Sequence, residues 1–170
     1  MIHPQTARLS NEDIEAVVRR HADGMYRLAL HHCDRCQAQD IVQEALLRFI
    51  QSEKVFKDEE HQKAWLYRVV LNLCTDYHRH WWQKMRSDPP VQEPAASRPE
   101  QPAVLEEIRL LDFREGTAIY LHYYESMTAA EIAGILKCRT GTVYSLLSRG
   151  RAHLRQLLEN GERKEATDGA

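Results

Sequence analysis

The chain has 170 residues, of which 43% are hydrophobic and 28% charged, and a formal net charge of −2. This length admits one domain or two small ones, and this hydrophobic fraction is enough for packed cores. No apolar run approaches the roughly 18 residues that cross a bilayer, and the N-terminus lacks the apolar stretch of a secretory signal, so the sequence predicts a cytoplasmic protein without membrane insertion.

Ser10 with Asp13 three residues later has the spacing of a helix cap, and Ile14, Val17, Val18 and His21 follow at helical intervals. His32-Cys33-Asp34-Arg35-Cys36 reads as a loop. A second helix is predicted from Gln39 to Gln51, with Ile41, Val42, Ala45, Leu46, Phe49 and Ile50 on an inward stripe. Asp40, Gln43, Glu44 and Leu47 share its outer face. Three polar groups beside an exposed leucine suit a docking patch for a basic partner, although a plain solvated face has the same pattern.

A third helix is predicted from about His61 to Lys84. Arg68, Asn72, Thr75, Arg79 and Arg86 follow one side of it, and Leu66, Val69, Leu73 and Tyr77 another. A stripe of Arg and Asn suits contacts to phosphates and base edges. Trp65 reads as core, whereas Trp81 and Trp82 either pack or stack.

Ser87 to Pro102 (SDPPVQEPAASRPEQP) holds five of the six prolines and almost no large apolar residue. Such a stretch builds no core and is predicted to be a flexible linker between residues 1–86 and 103–170. At about 3.1 Å per residue in polyproline geometry it spans roughly 40 Å, a little more than one turn of duplex DNA.

After it, Val104, Leu105, Ile108 and Leu111 begin a helical pattern. Asp112 and Glu115 have capping-box spacing before Ala118 to Tyr124, and Thr128 and Glu131 repeat it before Ile132 to Leu136. A last helix runs from about Thr140 to Leu158. A short helix with a small Ala133, a four-residue connection (Lys137-Cys-Arg-Thr140) and a second helix form the helix-turn-helix pattern. Val143, Leu147, Gly150, Leu154 and Leu157 face inward at 100° per residue, while Thr142, Ser145, Leu146, Arg149 and His153 form another face suited to the major groove. Neither half shows the period-2 alternation of strands, so the fold class is all-α, with two small helical domains.

The net charge argues against nucleic acid until it is resolved along the chain. Lys137, Arg139, Arg149, Arg151 and Arg155 lie in a stretch without an acid, as do Arg79, Lys84 and Arg86 with His78 and His80. Two basic stretches suit two DNA contacts, or two solvated helix faces.

Ile119-Tyr-Leu-His-Tyr-Tyr-Glu125, Met127-Thr128, Glu131-Ile-Ala133, Ile135-Leu136, Gly141-Thr-Val143 and Ser145-x-x-Ser148-Arg149-Gly-Arg151 resemble region 4 of sigma factors. Asp40-Ile-Val-Gln43-Glu44-Ala-Leu and Lys63-Ala-Trp65-Leu-Tyr-Arg68-Val-Val-Leu-Asn72-Leu-Cys-Thr-Asp76-Tyr-His-Arg79 resemble region 2. The resemblance is to the extracytoplasmic-function branch of the sigma-70 family. It implies a non-enzymatic initiation factor without cofactor or metal, partnered by core RNA polymerase, promoter DNA and a sequestering anti-sigma factor.

Carried over by position, the resemblance assigns Asp40, Gln43, Glu44 and Leu47 to the polymerase. It assigns Arg68, Asn72, Thr75, Asp76 and Arg79 to the minus-ten element, where the helix and the loop at about 52–60 capture a flipped base. Arg139, Thr140, Thr142, Ser145, Arg149 and His153 are assigned to the minus-thirty-five element. The chain departs from the family at Lys137, where Gly is common, at Tyr144 and Leu146, where bases are usual, at Asp112 for a common Pro and at Gly116 for a frequent Arg. With Leu146 on the DNA face, region 4 alone is expected to bind weakly, and Leu146→Arg to steepen the salt dependence by about 0.9.

Two other readings stand beside this one. A dimeric helix-turn-helix regulator explains Thr128 to Arg151 but leaves the Asp40–Glu44 and Trp65–Arg79 patterns unexplained. A thiol or metal enzyme would use Cys33 and Cys36. One Cys-x-x-Cys pair lacks the second half of a structural zinc site, and the four cysteines do not resemble a disulfide framework, which favours plain thiols.

Overall fold

The computed structural model describes residues 9–52, 54–87 and 103–168. The chain divides into two compact units, Met1–Ala96 and Ser97–Ala170. Among the described residues there are helices and no strand. Apart from Ser87, which closes a helix, the predicted linker lies outside them.

The first unit packs α1 (Asn11–His32), α2 (Arg35–Gln51) and α3 (Glu59–Ser87), each against the other two. Ser10 caps α1 as predicted: its Oγ accepts from the Asp13 amide at 3.1 Å, and Asp13 Oδ2 accepts from the Ser10 amide at 3.0 Å. The Ser10 hydroxyl also reaches Asp13 Oδ2, at 2.7 Å, and this contact together with the Ser10 amide holds the Asp13 carboxyl below the usual carboxylate range. Helix α2 starts earlier than predicted, because Asp34 caps it by accepting from the Gln37 amide at 2.9 Å. The predicted loop therefore shrinks to Cys33 and Asp34, and Cys36 lies in the first turn of α2.

Met25, Leu28, Ala38, Ala45, Phe49, Leu66, Tyr67, Val70 and Cys74 form the centre of this unit. The α3 stripe is rotated from the predicted one: Tyr67, Val70, Leu71 and Cys74 are buried, while Leu73 and Tyr77 are only half-buried. His78 Nε2 lies 2.7 Å from the His32 carbonyl oxygen, which can only accept, so the ring donates and pins α3 to the end of α1. Trp65 is half-buried in an aromatic cluster, its ring 5.7 Å from Phe56 and 6.3 Å from Phe49. Phe56 thus anchors the loop before α3.

The second unit holds α4 (Ala103–Arg109), α5 (Phe113–Tyr123), α6 (Ala129–Leu136) and α7 (Thr140–Asp168). Thr128 and Glu131 form the predicted capping box on α6. Asp112 caps α5, but Glu115 does not complete a box there; its side chain turns to α7 instead. Helix α7 crosses α5 closely at Gly150, where an added Cβ would stand 2.8 Å from Ile119 Cγ1.

Lys137 ends α6 at φ 51° and ψ 51°, the left-handed conformation that the helix-turn-helix turn demands. This conformation costs a non-glycine residue about 1–2 kcal/mol. Lys137→Gly is expected to recover about 1 kcal/mol of that and raise the melting temperature of this unit by about 4–8 °C. A thermal melt of the full chain followed by circular dichroism checks it.

Candidate nucleic-acid and polymerase interfaces

On α2, Asp40, Gln43 and Leu47 are exposed, and Glu44 is half-buried with its carboxylate 2.7 Å from Arg48 Nε. The four predicted docking residues therefore share one outward face. Ile50, predicted as core, is 42% exposed one turn beyond Leu47, which is 51% exposed. Ile50 thus extends the patch beyond Leu47 with apolar surface expected to face inward.

On α3, Asn72, Thr75 and Arg79 are exposed, and Arg68 and Asp76 are half-buried. Arg79 lies 2.6 Å from Asp76 Oδ1, and Thr75 Oγ1 donates to the Leu71 carbonyl at 2.8 Å. The loop ahead of α3 presents Lys54, whose ammonium sits 5.3 Å over the Trp65 ring, and Val55, which is 90% exposed.

On α7 and the turn before it, Arg139, Thr140, Thr142, Ser145, Arg149 and His153 are all exposed. Leu146 is not: it is 3% exposed, alongside Val143 and Leu147. At 100° per residue Leu146 lies about 60° from Val143, next to the inward edge rather than within the polar face. Tyr144, the other position where bases are usual in the family, faces outward at 62% exposure.

Glu115 connects the back of this face to α5. Its side chain is 7% exposed; Oε1 accepts from Arg149 Nε at 3.1 Å and Oε2 lies 2.7 Å from His153 Nδ1. Two of the predicted DNA contacts are thus held by one buried carboxylate. The sequence reading missed this role because it assigned Glu115 to a local cap. Its place directly before the small and apolar run Gly116 to Leu121 was the available signal.

Cys33 and Cys36 do not pair. Cys33 is buried beside Cys74, and their hydrogen bond, with burial, pushes the Cys74 thiol far above the usual thiol range. Cys36 is exposed. Among the described residues no three His, Cys, Asp or Glu side chains gather as metal ligands. Because the thiolate is the reactive form, Cys36 is expected to be alkylated first and Cys33 and Cys74 only on unfolding. Peptide mass mapping after a short iodoacetamide pulse at neutral pH checks this order; early label on Cys74 would contradict it.

Two helical units, one closing in a helix-turn-helix with exposed basic and hydroxyl side chains on its second helix, have the architecture of a DNA-binding protein. The sigma-70 region 2 pattern matches residues 17–83, and the sigma-70 region 4 pattern matches residues 102–154. The RNA polymerase sigma-E factor of Streptomyces avermitilis is 30% identical over 158 residues, covering 87% of this chain and 86% of that protein. The extracytoplasmic-function sigma factor SigL of Mycobacterium tuberculosis is 31% identical over 157 residues, covering 86% and 89% respectively. Among solved structures, the Bartonella quintana sigma factor RpoE, in complex with the anti-sigma factor NepR, superposes with a TM-score of 0.75 at 23% identity, covering 87% of this chain and 98% of that one.

The chain belongs to the sigma-70 family, in its extracytoplasmic-function branch. It is a transcription initiation factor: it binds core RNA polymerase and directs initiation at specific promoters, with region 4 as a DNA-binding domain.

Proposed function

We propose that residues 1–86 bind core polymerase and the minus-ten element, that 87–102 act as a flexible linker, and that 103–170 read the minus-thirty-five element. The observation that carries this reading is the placement of the charged and polar residues of α2, α3 and α7 on faces turned away from their own cores. Asp40, Gln43, Glu44 and Leu47 dock on the polymerase, with acids toward basic partner residues. Arg68, Asn72, Thr75, Asp76 and Arg79 hold the minus-ten strand. On the second unit, Arg139, Thr140, Thr142, Ser145, Arg149 and His153 contact the minus-thirty-five duplex, and Glu115 sets the positions of Arg149 and His153.

The protein works in the cytoplasm by binding, without chemistry of its own. An anti-sigma factor sequesters it, as one binds the Bartonella quintana relative. Among the described residues no helix is long and apolar enough to cross a membrane.

The minus-ten assignment is tested by Asn72→Ala and Arg79→Ala. Both are exposed, so the fold should tolerate them. Loss of one base or phosphate contact is expected to reduce open-complex formation on the order of tenfold, with core binding little changed. Permanganate reactivity of melted thymines reports it. Wild-type reactivity in both variants would remove α3 from the melted strand.

A further inference from the structure

Trp82 is 61% exposed and Trp81 38% exposed, near the C-terminal end of α3. The two rings meet edge to face, with centroids 5.3 Å apart and planes at 83°. An aromatic ring buries on the order of 200 Å² when it packs, so Trp82, which meets Trp81 edge-on and is still 61% exposed, keeps a large apolar surface uncovered by the described residues.

The position of Trp82 is as telling as its exposure. At 100° per residue, Asn72, Thr75, Arg79, Trp82 and Arg86 follow one stripe of the helix. Arg79 stands three residues before the ring and Arg86 four residues after it, both exposed. From His78 to Arg86 there is no acid, and Lys84 and His80 are exposed as well. Trp81 points about 100° away, along the side that carries Val70 and Cys74 deeper in the unit. It follows that side past the packed core and braces Trp82 edge-on.

We propose that Trp82, braced by Trp81, is a base-stacking residue that takes an unpaired base of the DNA strand running along α3. A flat π-face between two guanidinium groups suits such a strand: the arginines meet phosphates and the ring meets a base. Neither a second copy of this basic segment nor a basic protein surface offers that charge match. The inference rests on the reading of α3 as a DNA face, and it adds a contact beyond Arg79.

The test uses the full chain and a labelled twelve-nucleotide oligo-dT, with a blunt duplex of equal length as comparison, both followed by fluorescence anisotropy at low salt. Trp82→Ala is expected to weaken oligo-dT binding on the order of tenfold and duplex binding little, whereas Trp82→Phe keeps most of the affinity. Unchanged oligo-dT binding by a helical Trp82→Ala chain overturns the proposal, as does wild-type protein that binds neither probe. Arg79→Ala separates the two levels: weaker binding there with none lost in Trp82→Ala keeps the DNA face and removes the stacking. Sedimentation of the same proteins covers the rival occupant. A dimer that Trp82→Ala converts to monomer, with oligo-dT binding unchanged, assigns the ring to a second copy and overturns the proposal.

Discussion

Replacing both Asp40 and Glu44 by arginine is expected to abolish binding to core RNA polymerase while leaving the first unit folded. Asp40 is exposed and Glu44 half-buried, so neither carboxylate contributes much to the core. The 2.7 Å pair between Glu44 and Arg48 is a partly exposed pair one helical turn apart, of a kind that contributes about 0.3–0.5 kcal/mol. Reversing Glu44 turns that pair into a repulsion of similar size. At a docking surface the arithmetic differs. Two reversed charges facing basic partner groups cost several kcal/mol, which is a loss of roughly a thousandfold or more. Pull-down with purified core enzyme, beside a circular dichroism spectrum, measures both sides. Undiminished binding by the folded double variant would remove the outer face of α2 from the polymerase interface.

The second large effect falls on α7. Leu146→Arg is expected to unfold the second unit rather than to tighten DNA binding. Truncating a buried leucine costs about 2–5 kcal/mol, and an unpaired guanidinium at a site with 3% exposure adds its desolvation. A small domain holds about 5–15 kcal/mol in total, and one of this size lies toward the low end. Tyr144→Arg is the contrasting variant, because its site is 62% exposed. If it gains one phosphate contact, the slope of log affinity against log salt steepens by about 0.9. Thermal melts and salt titrations of the two full-length variants decide the phase of the helix. A Leu146→Arg protein that melts like wild type would contradict the packing of α7.

Where function was legible in the sequence, a local pattern carried it. Thr128 and Glu131 announce a cap three residues apart, and the structure closes that box. The outer face of α2 follows from four residues at helical spacing around an apolar stripe. What escaped the sequence depended on contacts between helices. Asp112 and Glu115 have the same spacing as Thr128 and Glu131, yet Arg149 and His153, far along the chain, take the Glu115 carboxylate away from the cap. Leu146 stands at the edge of two faces, and only the packing of α7 against its neighbours, which leaves it 3% exposed, decides which one it joins. Cys33 finds Cys74 rather than Cys36, because Asp34 starts α2 early and turns Cys36 outward. Lys137 shows the converse: the family resemblance puts a common Gly there, the residue a left-handed backbone favours, and the structure holds that backbone with a lysine.

The central claim is that this chain gives polymerase a promoter. Run-off transcription with purified core enzyme on genomic DNA fragments, with start sites mapped, tests it most directly. The account predicts discrete start sites that appear only when the chain is added and vanish with the Asp40→Arg and Glu44→Arg double variant. Core enzyme unaffected by the chain, together with a palindromic footprint made by the free protein, would contradict it and establish a dimeric regulator instead.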